Sequence, residues 1–213
     1  MLFITLLNYI HSFNITTFYL INNSLSNNIL NTILPYFTNL GSIVVLSLLC
    51  ALLYLIGGKK GKKVALMGLM GLALTSMVVL IVKPLVAEPR PFLVLAHVNL
   101  LVKETGIYSF PSGHSSLIFT IATILGLNYE FKIFNKNIRL IYPTLIIAGL
   151  VGFSRIYLGV HYPLDVLAGA IIGISSGLII MKISKYIFTN KTIEKVLLTD
   201  KELFKKKLIK KSE

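Results

Sequence analysis

Charged residues divide this chain into long apolar stretches. Residues 1–58 hold no Lys, Arg, Asp or Glu, and their first unbroken apolar run is Ser42 to Ile56. Further runs cover about 64–82, 114–128, 140–157 and 164–181. Each approaches the roughly 20 apolar residues that a helix needs to cross a bilayer, so the pattern predicts five transmembrane helices. Residues 1–40 read differently, because Asn8, His11, Asn14, Asn22, Asn23, Asn27, Asn28 and Asn31 interrupt their apolar pieces. This segment is either a sixth span or, as the amides favour, helices lying in the interface. It lacks the basic start of a cleavable signal peptide. The expected organisation is therefore an N-terminal segment at 1–40, a transmembrane domain at 41–186 and a basic tail at 187–213.

Composition agrees with the pattern. The 213 residues are 55% hydrophobic and 14% charged, with a mean hydropathy of +0.80, whereas soluble domains carry about 25% charge. The predicted fold class is an all-α integral membrane bundle of five or six transmembrane helices, with no length left for a separate soluble enzyme domain.

The basic residues orient that bundle. Lys59, Lys60, Lys62 and Lys63 form one cluster, Lys132, Lys136 and Arg139 a second, and a third runs from Lys182 to Lys211. The positive-inside rule places all three in the cytoplasm, and alternate spans then place residues 83–113 and 155–164 on the extracytoplasmic side. A sixth span at the N-terminus leaves this unchanged. The net charge of +13 is thus accounted for by topology, and no nucleic-acid partner is expected. The tail from Thr199 to Lys211, with Thr199 and Glu202 spaced as a capping box, is either a basic helix resting on anionic headgroups or a solvated tail.

Both outward stretches carry polar residues of a particular kind. Of 21 basic residues only Arg90, Arg139 and Arg155 are arginine, and two of these lie in the outward stretches. Arginine offers a planar fork that grips two oxygens at once, so its placement points to an oxyanion ligand, an ordinary ion pair being the alternative. His161 and Asp165 are four apart. A helix starting near Tyr162 and Pro163 brings the carboxylate to one imidazole nitrogen, fixing the tautomer and leaving the other nitrogen free as a nucleophile. Such a pair is often merely structural, but Asp165 is the only Asp before residue 200 and sits at a membrane boundary. His114 follows a Pro-Ser-Gly turn at the start of a span. Backbone N–H groups of Ser112, Gly113 and His114 at that helix start suit phosphate oxygens, and the imidazole suits protonation of a leaving oxygen. Lys83 and Arg90 end the preceding span, with Pro84 and Pro89 expected to break the helix so that both side chains turn toward one point. A lysine snorkelling from a helix end is the plainer reading of Lys83.

Three runs now stand out: Lys83, Arg90 and Pro91, with six residues after the lysine; Pro111 to His114; and Ser154, Arg155, His161 and Asp165, with five and three residues between. Together they resemble the signature of the type 2 phosphatidic acid phosphatase (PAP2) superfamily, without departure at any motif position. The resemblance spans residues 83–165, and with flanking spans about 41–186. It implies a PAP2/chloroperoxidase-like core and a phosphatase that needs no metal or other cofactor. In that mechanism His161 is the nucleophile that forms a phosphohistidine, His114 the acid and Asp165 the orienting carboxylate. Lys83, Arg90, Ser112, Gly113 and Arg155 match positions that hold phosphate oxygens. The small size, the Asn-rich start and the turn Thr38 to Gly41 look most like the short undecaprenyl-diphosphatase branch, with polyprenyl diphosphate as the expected partner. Phosphatidylglycerophosphate, phosphatidate and lipid A phosphatases are the alternatives, and a non-catalytic anion-binding membrane protein or transporter is a distant one.

The remaining polar residues carry blander expectations. His97 and His11 read as solvated or lipid-contacting, Glu88 as either a partner of Lys83 or Arg90 or an exposed loop carboxylate, and Lys103 and Glu104 as able to touch a headgroup, with nothing in the sequence to support it. Cys50 reads as packing. Phe92, Leu93, Leu95 and Tyr108 are expected to guide a lipid tail. Gly68 and Gly71, and Gly169, Gly173 and Gly177, are expected to let helices approach closely within the bundle.

Overall fold

A computed structural model describes residues 2–133 and 136–189. Helix α1 (Leu2–Tyr19) runs through a π-turn into α2 (Asn28–Phe37) and a 3-10 turn at Thr38–Gly41, followed by α3 (Ile43–Ile56), α4 (Gly58–Val86) and the short α5 (Pro91–Val94). Helices α6 (Gly113–Asn128), α7 (Ile141–Tyr157) and α8 (Pro163–Thr189) complete the bundle. Strands β1 (Glu130–Ile133) and β2 (Lys136–Arg139) pair antiparallel between α6 and α7. That hairpin, which carries the second basic cluster, is the exception to an otherwise helical fold among the described residues.

Helices thus fall where all five apolar runs were read. By length and apolarity, Gly58–Val86 and Pro163–Thr189 are long enough to cross a membrane, and Asn28–Gly41 with Ile43–Ile56 forms a third candidate bent by 57°. Ile141–Tyr157 is a shorter apolar helix. Large apolar side chains stay exposed along these helices, among them Leu55, Leu80, Ile146 and Ile171, as expected of surface that meets lipid.

Helix α6 is the central element, packed by α3, α4, α7 and α8. It buries polar side chains by returning their hydroxyls to its own turns: Ser116 Oγ donates to the Ser112 carbonyl and Thr120 Oγ1 to that of Ser116. Thr120 also shares a 2.7 Å hydrogen bond with Thr75 of α4, a polar contact that suits an interior facing lipid rather than water. Helix α8 approaches α6 at Gly169, Gly173 and Gly177, where an added Cβ would meet the α6 carbonyls of Ser112, Ser116 and Thr120. Gly68 and Gly71 of α4 sit likewise against Cys50 and Thr120. The small-residue spacings therefore serve packing within the chain. Cys50 is buried in the core with Leu46, Leu72 and Ile121.

The N-terminal asparagines have individual tasks. Asn27 caps α2 by accepting from the Leu30 N–H. Asn14 accepts from the N–H of Leu164 at the start of α8. Asn22, fully buried, donates to the carbonyls of Asn99 and Tyr157 and accepts from the Asn99 N–H. These amides tie residues 1–40 to the loop between α5 and α6 and to the end where α7 stops and α8 starts.

Candidate active site

Four helix ends meet at that end of the bundle: the C-termini of α4 and α7 and the N-termini of α6 and α8. Helix α4 does not break at Pro84. It continues to Val86 and stops at Ala87, whose left-handed φ of 51° turns the chain while its N–H bonds the Lys83 carbonyl. Proline lacks only its own N–H, so the helix survives near its last turn. The Lys83 ammonium reaches the carbonyls of Tyr108 and Ser109 at 2.9 and 3.2 Å, which fixes the strand leading into Pro111.

Arg90 is buried, with a partner at each of its three nitrogens. Its Nε donates to the Gly106 carbonyl, Nη1 donates to the Val160 carbonyl at 3.0 Å and lies 3.3 Å from His161 Nε2, and Nη2 pairs with Glu104 Oε1 at 3.4 Å. Arg155, in the last turn of α7, donates from Nη1 to Thr38 Oγ1 at 3.1 Å and from Nη2 to Glu104 Oε2 at 2.9 Å. Its Nε is buried without a partner. Glu104, for which the sequence suggests no role beyond reach of a headgroup, therefore bridges the two arginines.

His161 is held between opposite charges. After α7, Gly159 adopts a φ of 82° that returns the chain toward the bundle, where a Cβ would meet the Asn99 carbonyl. The imidazole then lies buried, with Nδ1 3.2 Å from Asp165 Oδ2. The same oxygen accepts from the Tyr162 N–H at 2.9 Å. A proton on Nδ1 gives Asp165 Oδ2 a second donor, while Oδ1 stays buried without a partner, and leaves the Nε2 lone pair facing Arg90, the tautomer being assigned from these partners. Burial, with Arg155, Arg90, Lys83 and His114 adding positive charge around it, holds the His161 pKa well below the usual histidine range. The ring is therefore neutral throughout the neutral pH range, with its Nε2 lone pair accepting from Arg90 Nη1.

His114 and Gly113 open α6, half-buried beside the cluster, with Arg155 and Arg90 in electrostatic reach of the imidazole. Ser112 keeps no free backbone N–H for a ligand. Its N–H is taken by the Asp165 carbonyl at 3.0 Å, and its Oγ caps α6 through the Ser115 N–H while accepting from Ser115 Oγ. A residue that joins α6 to α8 in this way has little backbone left to offer a ligand.

The structure therefore gathers Lys83, Arg90, His114, Arg155, His161 and Asp165 at one end and adds Glu104 and Thr38. Charge parity was a usable signal for Glu104: outside the basic hairpin, residues 83–165 contain only Glu88, Glu104 and Asp165 as carboxylates against Lys83, Arg90, Lys103 and Arg155. Glu88 forms no ion pair with Lys83 or Arg90 among the described residues, and burial raises its carboxyl pKa. Its backbone carbonyl holds the Ser109 N–H. His97 stands at a left-handed φ of 55°, and its carbonyl accepts from Asn23. Phe92 and Leu95 pack inward, on the Tyr157 and Phe18 clusters respectively, while Leu93 is exposed.

A helical bundle with two histidines, a carboxylate and three cations at one end defines a membrane phosphatase, and residues 64–188 match the PAP2 superfamily. The chain belongs to that superfamily. Undecaprenyl-diphosphatase BcrC of Bacillus subtilis is 30% identical over 165 residues, 74% of this chain and 77% of that one. Bacitracin transport permease protein BcrC of Bacillus licheniformis is 42% identical over 91 residues, 43% of this chain, and the match spans only 41% of that protein's length. Among solved structures, Aquifex aeolicus LpxE superposes with a TM-score of 0.67 at 36% identity, covering 80% of this chain and 95% of that one. Other relatives carry different lipid-phosphatase names, among them Phosphatidylglycerophosphatase B of Bacillus subtilis (39% identical; 35% of this chain, 37% of that one) and Lipid A 4'-phosphatase of Bacteroides thetaiotaomicron (32% identical; 62% and 61%).

Proposed function

We propose that this chain hydrolyses a polyprenyl diphosphate of the undecaprenyl type to the monophosphate, through a phosphohistidine on His161 and without a metal ion. The observation that carries this reading is the placement of His161, with Asp165 on Nδ1 and Arg90 on Nε2. The Nε2 lone pair attacks the terminal phosphorus and the bond from phosphorus to the bridging oxygen breaks. His114 gives a proton to that leaving oxygen. Water then attacks phosphorus, its proton returns to His114, the P–N bond breaks and inorganic phosphate departs.

Arg90, Arg155 and Lys83 offset the charge that gathers on the equatorial oxygens. Arg155 Nε, buried without a partner, is a donor available to one of them, and the Gly113 N–H at the start of α6 is another. Glu104 and Thr38 hold the guanidinium of Arg155 in place. The lysine distribution supports an extracytoplasmic site with the C-terminal tail in the cytoplasm, where a lipid headgroup in the outer leaflet reaches the site directly.

The relative named as a diphosphatase over most of its length supports the substrate. A membrane protein that only binds or carries an anion has no use for a histidine oriented by a buried carboxylate. The test is phosphate release by the purified protein in detergent, with chelator present, from C55-type diphosphate, phosphatidylglycerophosphate and phosphatidate. Preferred turnover of the diphosphate is expected. Preference for a glycerolipid would overturn the substrate, a requirement for divalent metal would overturn the mechanism, and binding without release would overturn both.

A further inference from the structure

Outside its three basic clusters the chain holds four Lys and Arg residues, Lys83, Arg90, Lys103 and Arg155. Three belong to the catalytic cluster, and Lys103 has had no part in it. The segment that carries Lys103 is nevertheless fastened over the two arginines on either side of it. The Leu101 N–H donates to the Leu158 carbonyl at 3.3 Å, Glu104 pairs with both Arg90 and Arg155, and the Gly106 carbonyl accepts from Arg90 Nε. Leu101 and Val102 pack inward on the Tyr157 cluster. Lys103 is exposed and makes no hydrogen bond or ion pair among the described residues. Its Cα stands about 3.8 Å from that of Glu104. Its four-carbon stem carries the ammonium about 6 Å beyond that, a reach that covers the rim of the site. Helix α8 rises about 40 Å from Pro163 to Thr189, so the lysine-rich end of the bundle lies a bilayer's thickness away.

The catalytic cluster is short of positive charge for a diphosphate. With His161 neutral, Lys83, Arg90 and Arg155 face the carboxylates of Glu104 and Asp165, which leaves one net positive charge. The proton that His114 gives up in the proposed mechanism supplies one more. That matches a phosphate monoester, which carries about −1.5 to −2 at pH 7, and leaves unmet the further charge, about −1, that a second phosphate brings. The buried donors are also taken: Lys83 lies on two carbonyls, Arg90 has a partner at each nitrogen, and Arg155 Nε is left for an oxygen of the terminal phosphate. The second phosphate lies on the lipid side of the terminal one, toward the rim, and Lys103 is the remaining Lys or Arg at this end. We propose that Lys103 binds this second phosphate, the one that stays on the lipid, and thereby selects diphosphates over monophosphate esters. The assignment rests on the reading of the substrate as a diphosphate.

The test is phosphate release by the purified full chain in neutral detergent, from C55-type diphosphate and from phosphatidate, with inorganic diphosphate and orthovanadate as inhibitors. Lys103→Gln should lower kcat/KM for the C55-type diphosphate about tenfold and weaken inhibition by inorganic diphosphate by a similar factor. Turnover of phosphatidate and inhibition by orthovanadate, which engage only the terminal phosphate position, should change less than about twofold. Lys103→Arg, which keeps the charge, should behave as wild type on both substrates. Undiminished diphosphate turnover by Lys103→Gln, or an equal fall on diphosphate and phosphatidate, would overturn the assignment. Preference of the wild type for a glycerolipid would fail the substrate reading instead, and the contrast between inorganic diphosphate and orthovanadate still reports on Lys103 in that case.

Discussion

Replacing Glu104 with Gln keeps the shape of the side chain and removes the negative charge that joins Arg90 to Arg155. The two contacts are 3.4 and 2.9 Å, the arginine side chains are 5% and 3% exposed, and Glu104 is 23% exposed. At an effective dielectric near 20 these contacts are worth about 5 and 6 kcal/mol in Coulomb energy. Leaving a buried charge without its partner costs about 3–5 kcal/mol. Glu104 reaches solvent, which screens part of this, so the expected loss of stability is about 2–3 kcal/mol. A bound oxyanion supplies the missing charge, whereas in the wild type it must share the arginines with a like-charged carboxylate. Thermal unfolding in detergent, with and without orthovanadate, reads both effects. Glu104→Gln should unfold at lower temperature without ligand, and vanadate should raise its midpoint more than that of wild type, corresponding to about tenfold tighter binding. A variant as stable as wild type without ligand, or an identical shift with vanadate in both proteins, would refute the reasoning.

Three further outcomes follow from the same geometry. The depressed His161 pKa means that the unfolded chain takes up this proton at higher pH than the folded one. Its contribution to stability is therefore complete above about pH 6.5 and falls as the pH drops below that value; unfolding at pH 5 and pH 7 should show the difference, and His161→Gln should reduce it. Asn22→Ala removes the three hydrogen bonds of a buried amide and should cost about 2–3 kcal/mol, with faster proteolysis of residues 96–104 as the readout. Gly173→Ala drives a methyl group against the Ser116 carbonyl and Phe119 of α6; separation of α6 from α8 should cost about 1–3 kcal/mol and lower the unfolding temperature, while Gly149→Ala, where nothing lies within 4 Å, should not.

Local patterns made much of this protein legible. The five apolar runs became helices, and two of them carry their own start signal, Ser42 capping α3 and Ser112 capping α6. His161 and Asp165 were legible because their spacing needs only a helix start at Pro163, which the structure provides. What escaped were contacts between distant residues. Glu104 meets Arg155 across 51 positions and Thr38 meets it across 117, and no local period marks either. Asn22 was read as a polar interruption in an apolar segment, yet its amide is buried against Asn99 and Tyr157. Pro84 was read as a helix break, although near the last turn of a helix it removes only one hydrogen bond.

The central claim is that His161 forms a covalent bond to phosphorus, and trapping that intermediate tests it most directly. Purified protein would be quenched within a turnover of substrate labelled with ³²P on the terminal phosphate, then digested and the label located. The expected result is an acid-labile, base-stable phosphoramidate on His161, absent from His161→Ala, which should release no phosphate. Label on another residue, or wild-type turnover by His161→Ala, would contradict the account.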